Sequence, residues 1–489
     1  MFLFRVLTHC MAVGLMLALA GPAVAARPEY RALWVDVFHK GLRNQAECEA
    51  MLTTARMANY NAIIVQVRKA CDAYYNSGVE PKNPAIASGF DPLGYLIQRC
   101  HSPRAGEQPL EVHAWLVTYR TRLPNEDLWK SPQHVFQRHP EWMNQTASGA
   151  KTLGGENAGR YYLDPGVPQV IDYNLSVVRD ILSRYSVDGI HFDYIRYPET
   201  DGEGNLWGYN PTSIARFNAL YGRTGKPDAN DPDFNEFRRN QIYDQVRKIY
   251  AHTRAWRPQV KISAATITWD DVGRGFERTD AYGNIFQDWR QMALDGYLDM
   301  MVPMNYKREA VAAQASAHRN WAAFLGQVAR QSGRFGLNGV DGEELNAVDG
   351  ILTQIRATRS LPGVTGIASY CYAEPRKGSG SRPTPDTEFF NTIRTQVFPD
   401  VAPIPQATWL TNPRDGLVKG VVTRNGKPVD GAIVKLGGRS THTDGTGFYA
   451  FARVTPGNQQ VTAEDGSGVI GSRGAAVQAG GVAECAIGG

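Results

Sequence analysis

The stretch VDGIHFDYIRYP, residues 187–198, decides the fold. Ile190 and Phe192 share one parity of a short strand, and His191 and Asp193 share the other. Successive strand residues point to opposite faces. In a parallel barrel one face meets the surrounding helices and the other meets the interior, and the chemistry gathers at the carboxyl ends of the strands. The apolar pair should therefore face helices. Asp193 should point inward at the end of its strand. A carboxylate there is either a reacting group or half of an ion pair, and Arg196 is the nearby partner for the second case.

Working outward, the same rhythm recurs on both sides. RALWVDVF from Arg31 carries Leu33, Val35 and Val37 on one face, and AIIVQVRK (62–69) and EVHAWLVTYR (111–120) follow. Downstream come VKISAATITW ending at Trp269, LDMMVPMNY ending at Tyr306, RFGLNGV, and VTGIASYCYAE ending at Glu374. Helical spacing fills the intervals at residues 45–60, 93–100, 168–185, 235–256, 288–294, 311–332 and 347–359. Eight strands alternating with helices predict an α/β fold, a (β/α)8 TIM-type barrel with enlarged loops after strands three and four. An open doubly wound sheet is the rival. No Gly-rich phosphate turn follows the first strand, which argues against it.

The ends read differently. In residues 1–25 a single charge, Arg5, precedes an apolar run and the small-x-small site Ala23-Val24-Ala25, the pattern of a secretory signal. The run is short for a bilayer span, so the mature chain is expected to be exported, periplasmic or extracellular, with no integral membrane association. Residues 26–397 hold the barrel, and 398–414 read as a Pro-rich linker. Residues 415–489 alternate in short strands with turn signals at Asn425-Gly426 and Asp444-Gly445, a small all-β sandwich. That sandwich offers a surface for an envelope protein partner.

A net charge of +4 over 489 residues, without a concentrated Lys/Arg run, argues against a nucleic-acid partner. After signal removal Cys48, Cys71, Cys100, Cys371 and Cys485 remain. They show no CxxC or Cys/His ligand spacing, so no metal and no cofactor is expected. One disulfide among the first three and free buried thiols are equally compatible with the spacing.

If the strands close, their carboxyl ends bring together Asp36, Gln66, Arg68, Asp72, Tyr119, Arg120, Asp193, Arg196, Trp269, Asp270, Asp271, Asn305, Tyr306, Asn338, Tyr370, Tyr372 and Glu374. Acids, amides and aromatics of this kind suit glycoside hydrolysis, which needs two carboxylates flanking the scissile bond. Asp193 is the leading catalytic candidate, as nucleophile or base. Its partner is sought among Asp72, Glu80, Asp270, Asp271 and Glu374, with Glu80 and Asp270 carried as catalytic candidates. Asp36, Arg68, Asp72, Tyr119, Arg196, Trp269, Asn305, Tyr306, Tyr370 and Tyr372 are the candidates for binding a polysaccharide.

Over residues 28–375 the chain resembles the glycosyl hydrolase-like family 10 of bacteria. RALWVDVF, VQVRKACDAYYNSGVEP (65–81), EVHAWLVTYR, HPEW (139–142), YLDPGVPQV (162–170), VDGIHFDYIRYP, DMMVPMNY and GIASYCYAE carry the resemblance in order. It implies a barrel hydrolase of cell-envelope glycans; a division-site member acts on peptidoglycan strands stripped of their peptides. The pattern of Asp188-Gly189 and Asp193 is similar to the fourth-strand motif of the alpha-amylase clan, whose second Asp is the nucleophile, although His191 stands where that clan has Arg. Lys307 stands where an aromatic residue is common in the family. The C-terminal segment resembles a carboxypeptidase-regulatory-like module through Gly420, Pro428, Gly431, Ala432, Val434, Thr443, Gly447, Phe448 and Pro456-Gly457. The sequence thus predicts an exported glycoside hydrolase. The alternatives are a catalytically inactive glycan-binding or scaffolding protein of the envelope, and a metal-dependent deacetylase-like hydrolase, against which the missing His ligands argue.

Overall fold

The computed structural model describes residues 27–152, 158–200, 206–342 and 345–488. The signal reading of residues 1–25 lies outside them. Eight parallel strands close a barrel: β1 (Tyr30–Val35), β2 (Ala62–Arg68), β3 (Glu111–Val117), β4 (Gly189–Asp193), β5 (Lys261–Thr266), β6 (Met300–Pro303), β7 (Phe335–Asp341) and β8 (Gly366–Tyr370). Neighbours in sequence are neighbours in the sheet, and β8 closes on β1 with Tyr30 opposite Gly366. The outer ring includes α1 (Gln45–Met57), α2 (Pro92–His101), α3 (Pro168–Arg184), α4 (Pro232–Trp256), α5 (Trp289–Leu294), α6 (Ala312–Ser332) and α7 (Val348–Arg359), followed by α8 (Thr387–Gln396). Local chemistry sets their ends. Asp91 and Asp231 cap α2 and α4 by accepting backbone N–H bonds, each followed by a proline in the first turn.

The parity of the strands divides the core in two. Ile190, Phe192, Leu33, Val35 and Val37 belong to the large layer between strands and helices. Trp34, Ile64, Trp115, Met300, Val302, Leu337 and Ala368 fill the barrel itself. His191 lies among the second set. The Trp34 indole N–H can only donate, and it meets His191 Nε2 at 3.3 Å. Burial holds the imidazole pKa down at about 3, with His113 adding to the effect, so the ring is neutral and carries its proton on Nδ1. Nδ1 then donates to Ser263 Oγ at 2.9 Å. This bonded layer forms the floor beneath the carboxyl-end mouth. Gly339 makes room for it: a Cβ there would lie 2.3 Å from the Pro303 carbonyl oxygen and 3.4 Å from the Trp34 ring.

The enlarged loops follow β3 and β4, as expected. They carry a two-stranded ribbon, Arg120–Arg122 with Tyr161–Tyr162, and a helix, Pro211–Tyr221. The Pro-rich stretch is not a loose connection. It runs across the amino-terminal end of the barrel, where Ala407 and Leu410 join the interior core and Trp409 donates to Asp299 Oδ1 at 2.7 Å. Glu29 N–H donates to the Pro403 carbonyl at 3.0 Å, tying the same strap to β1.

Beyond it, two antiparallel sheets enclose a small core of Val418, Val422, Val434, Tyr449 and Val461. This unit is fixed to the barrel. Phe448, Ala450 and Ala452 join the main core, Arg216 pairs with Asp430 at 2.7 Å, and the Tyr297 hydroxyl donates to the Ala450 carbonyl at 2.8 Å. The five described cysteines are all buried, and none of them is joined in a disulfide. No helix of the described residues is long and apolar enough to cross a membrane.

Candidate active site

Asp193 ends β4 with its carboxylate turned into the mouth of the barrel. Trp115 Nε1 donates to Oδ2 at 3.2 Å and the Tyr194 N–H to Oδ1 at 2.7 Å. Burial raises its pKa, and this outweighs the lowering by Arg196, the Tyr194 N–H, Arg120 and Trp115. The setting therefore favours the protonated form more than open water does. Tyr194 follows at φ 47, a left-handed turn that brings the chain back over the site. Arg196 then lies 4.4 Å from the Tyr194 ring centre and 5.1 Å from that of Trp269, and it pairs with Glu199 at 2.7 Å. Arg120 covers Tyr194 at 4.6 Å. These guanidinium–aromatic contacts hold long side chains in place, which a sugar-binding rim requires.

Across the mouth, Tyr306 and Tyr370 pack at 5.6 Å and both meet Trp34 edge-on, at 6.4 and 6.2 Å. Asp341 ends β7 on the inward parity of Leu337 and Gly339, in register with Tyr370. The Tyr306 hydroxyl is pushed well above its ordinary pKa by burial and then by Asp341, Tyr370 and Asp193. Tyr306 thus stands within electrostatic reach of both carboxylates. Asp341 is an inward carboxylate absent from the sequence-based candidates, because the segment RFGLNGV stops at Val340. The alternation Leu337, Gly339, Asp341 was the available signal.

Asp36 also faces inward. It accepts the Phe38 and His39 N–H groups at 2.8 and 3.0 Å and meets His39 Nδ1 at 3.0 Å. Burial opposes its charge, yet His39 and Cys371 hold its pKa below the ordinary carboxylate value. It is an ionised group with its oxygens engaged. Glu374 reaches the other side of the same imidazole at 3.5 Å. Asp36, His39 and Cys371 converge closely enough to hold a metal ion, but they sit in mutual hydrogen bonds. Lys307 lies at the rim, where it donates to the Thr268 carbonyl at 2.7 Å. Burial lowers its pKa to about 8 against the pull of Asp270 and Asp271.

Other candidates from the sequence are placed elsewhere. Glu80 is sealed in an ion pair with Arg68 at 2.7 Å and accepts the Tyr173 hydroxyl at 2.5 Å; its side chain has no exposed surface. Arg68 Nη1 donates to both the Val117 and Thr118 carbonyls, so this pair is turned away from the mouth and sealed from solvent. Asp72 organises its own loop, accepting the Lys69 and Ala70 N–H groups and the Asn83 amide. Asp270 is exposed at φ 60 and turned aside to accept the Asp280 N–H at 3.1 Å. Asp271 caps the following turn and accepts from Asn320. Tyr119 and Tyr372 lie in the layer outside the barrel, Tyr372 against Phe390. Asn305 donates to Asn338 and to the His318 carbonyl behind the wall. The structure therefore gathers Asp193, Arg196, Trp269, Tyr306, Tyr370 and Asp36 at the mouth, with Arg120, Glu199 and Asp341.

A closed parallel barrel with inward carboxylates framed by Trp, Tyr and Arg at its carboxyl end is the architecture of a glycoside hydrolase. The chain belongs to the glycosyl hydrolase-like 10 family, whose model matches residues 29–329, from β1 into α6. It is 24% identical over 471 residues to glycosyl hydrolase YngK of Bacillus subtilis (strain 168), spanning 87% of this chain and 83% of that protein. It is 26% identical over 296 residues to glycosyl hydrolase DigH of Escherichia coli (strain K12), covering 56% of this chain and 61% of DigH. Among solved structures, the catalytic domain of beta-amylase from Paenibacillus polymyxa aligns with a TM-score of 0.50 at 14% identity. That match covers 78% of this chain and 100% of the domain, and it is a likeness of fold.

Proposed function

We propose that this glycoside hydrolase is exported and cleaves a cell-envelope polysaccharide, peptidoglycan glycan strands freed of their peptides, by two-carboxylate catalysis. The observation that carries the reading is Asp193, held inward at the end of β4 beneath Arg196, Trp269 and Tyr194. Asp193, expected from the sequence as nucleophile or base, is read here as the acid: burial raises its pKa, and a carboxyl at this position can deliver a proton to the leaving oxygen. Asp341, facing the mouth beside Tyr306, supplies the second carboxylate. Tyr306, Tyr370 and Trp269 offer ring faces to the sugars, and Arg196 a fork of donors to their hydroxyls. The leader-like residues 1–25 support export, and the family resemblance supports an envelope glycan. We read the C-terminal sheets as a carboxypeptidase-regulatory-like accessory module whose outer face is open to an envelope protein.

The test is release of sugars from purified peptide-free glycan strands by the wild type, Asp193→Asn and Asp341→Asn. Each variant should lose at least about 100-fold in turnover while keeping its melting temperature. Undiminished turnover by Asp193→Asn rejects its catalytic role. Glycan affinity without turnover by the wild type would turn the reading to a binding protein.

A further inference from the structure

At the end of the barrel opposite Asp193, a cavity of about 260 Å3 lies in the seam between the strap, the barrel foot and the C-terminal sandwich. Arg254 of α4, Arg334 just before β7, and Arg453 of the sandwich all line it, and Trp409 of the strap, Tyr250 and Asp415 complete the wall that matters here. Arg254 and Arg453 are held in place by carbonyls. Arg254 donates to Pro258 at 2.6 Å and to Val260, and Arg453 to Leu294 at 3.0 Å and to Ser332. Carbonyl oxygens orient a guanidinium without neutralising it. The carboxylate of Asp299 stands 3.7 Å from Arg254 and already accepts from Ile262 and Trp409, while Asp415 in the wall and Asp295 act on Arg453.

Arg334 is different. It is only 8% exposed, its side chain makes no hydrogen bond or ion pair among the described residues, and its Nε, like that of Arg254, is buried without a partner. Its guanidinium stacks on Trp409, 4.6 Å from the ring centre. It also shares its space with Arg453: a Cβ built on Gly296 would lie 3.2 Å from Arg334 Nη2 and 2.7 Å from Arg453 Nε. Two like charges are thus crowded together, and one of them has no acceptor for its side chain among the described residues. Such an arrangement persists where something supplies the missing negative charge.

We infer that this seam is a binding site for a small molecule bearing an oxyanion, a carboxylate or a phosphate on a body of sugar size. Arg334 supplies the planar fork that grips such a group in two places, with Arg453 and Arg254 as flanking charge. Trp409 backs Arg334 from the strap, and the body lies in the space beside them. The site joins three parts of the chain, so its ligand clamps the sandwich to the foot of the barrel. By linkage, occupancy raises the stability of the whole protein.

The full chain is titrated by calorimetry and thermal melting with glucose 6-phosphate, glucuronate and inorganic phosphate, and with glucose as the uncharged control at matched ionic strength. The inference expects saturable binding of glucose 6-phosphate or glucuronate at least about tenfold tighter than glucose, with a rising melting temperature. The two arms separate phosphate from carboxylate as the preferred group, and inorganic phosphate shows how much of the affinity comes from the anion alone. Arg334→Met should weaken the better ligand at least about tenfold, and Arg334→Lys should do so less. Where Arg334→Met fails to fold, phenylglyoxal modification of Arg334 in the wild type, mapped by mass spectrometry, takes its place. Protection by the charged sugar supports the site. Binding no tighter than glucose, an unchanged affinity in Arg334→Met, or unaltered Arg334 reactivity overturns it.

Discussion

Replacing Glu80 with Gln separates a structural carboxylate from a catalytic one. Glu80 takes the Arg68 Nε and Nη2 bonds at 2.9 and 2.7 Å and the Tyr173 hydroxyl, and the Arg68 and Glu80 side chains are out of contact with solvent. Gln keeps one acceptor oxygen but turns an N–H2 toward the Arg68 donors, leaving a buried guanidinium without a counter-charge. Breaking a buried pair from one side costs about 3–5 kcal/mol. The Val117 and Thr118 carbonyls still hold Arg68, which puts the loss near the lower end, about 3 kcal/mol. Unfolding entropy of about 2 cal/mol/K per residue gives a barrel of roughly 370 residues about 0.8 kcal/mol per degree, so the melting temperature should fall by about 4 °C. Calorimetric melting is paired with turnover on peptide-free glycan strands at room temperature, well below the transition. The expected result is a lower melting temperature with turnover within about twofold of wild type. An unchanged melting temperature with turnover reduced about 100-fold would mean that Glu80 meets the substrate, and the structural assignment would be refuted.

Two further outcomes concern stability. Burial raises the Asp164 pKa from 3.8 to about 6, against bonds from the Gly166 N–H, the Ser213 hydroxyl and the Asn210 N–H. Between those values the folded state holds the extra proton, so this group's contribution is complete below about pH 4 and is lost as pH rises through about 6. Asp164→Asn should flatten that part of a melting-temperature series by roughly 2–3 kcal/mol, and an unaltered slope would discard the assignment. Gly339→Ala should destabilise the barrel by about 1–3 kcal/mol, since the Pro303 backbone leaves no room for a methyl group; a variant as stable as wild type in urea would show that the floor can yield.

Alternation along VDGIHFDYIRYP and its seven counterparts was sufficient for the barrel, because a two-residue period states directly which side chains face helices and which face inward. It placed Asp193 and His191 inside and Ile190 and Phe192 outside. The same rule failed where the ladder stops. Tyr119 and Tyr372 continue the inward parity of Trp115 and Tyr370 on paper, yet they lie beyond the last strand residues, Val117 and Tyr370, and the turning chain carries them to the outer layer. At Arg68 the β2–β3 register shifts, and the side chain swings to Glu80. Asp270 is turned aside by a left-handed backbone. The pairing of Glu80 with Arg68, the approach of Asp341 and Asp193 to one tyrosine, and the three arginines at the barrel foot all join residues far apart in the chain. Periodicity reports the environment of a residue along its own strand; which charges finally meet depends on closure of the barrel and on how the loops return over it, and only the tertiary structure decides that.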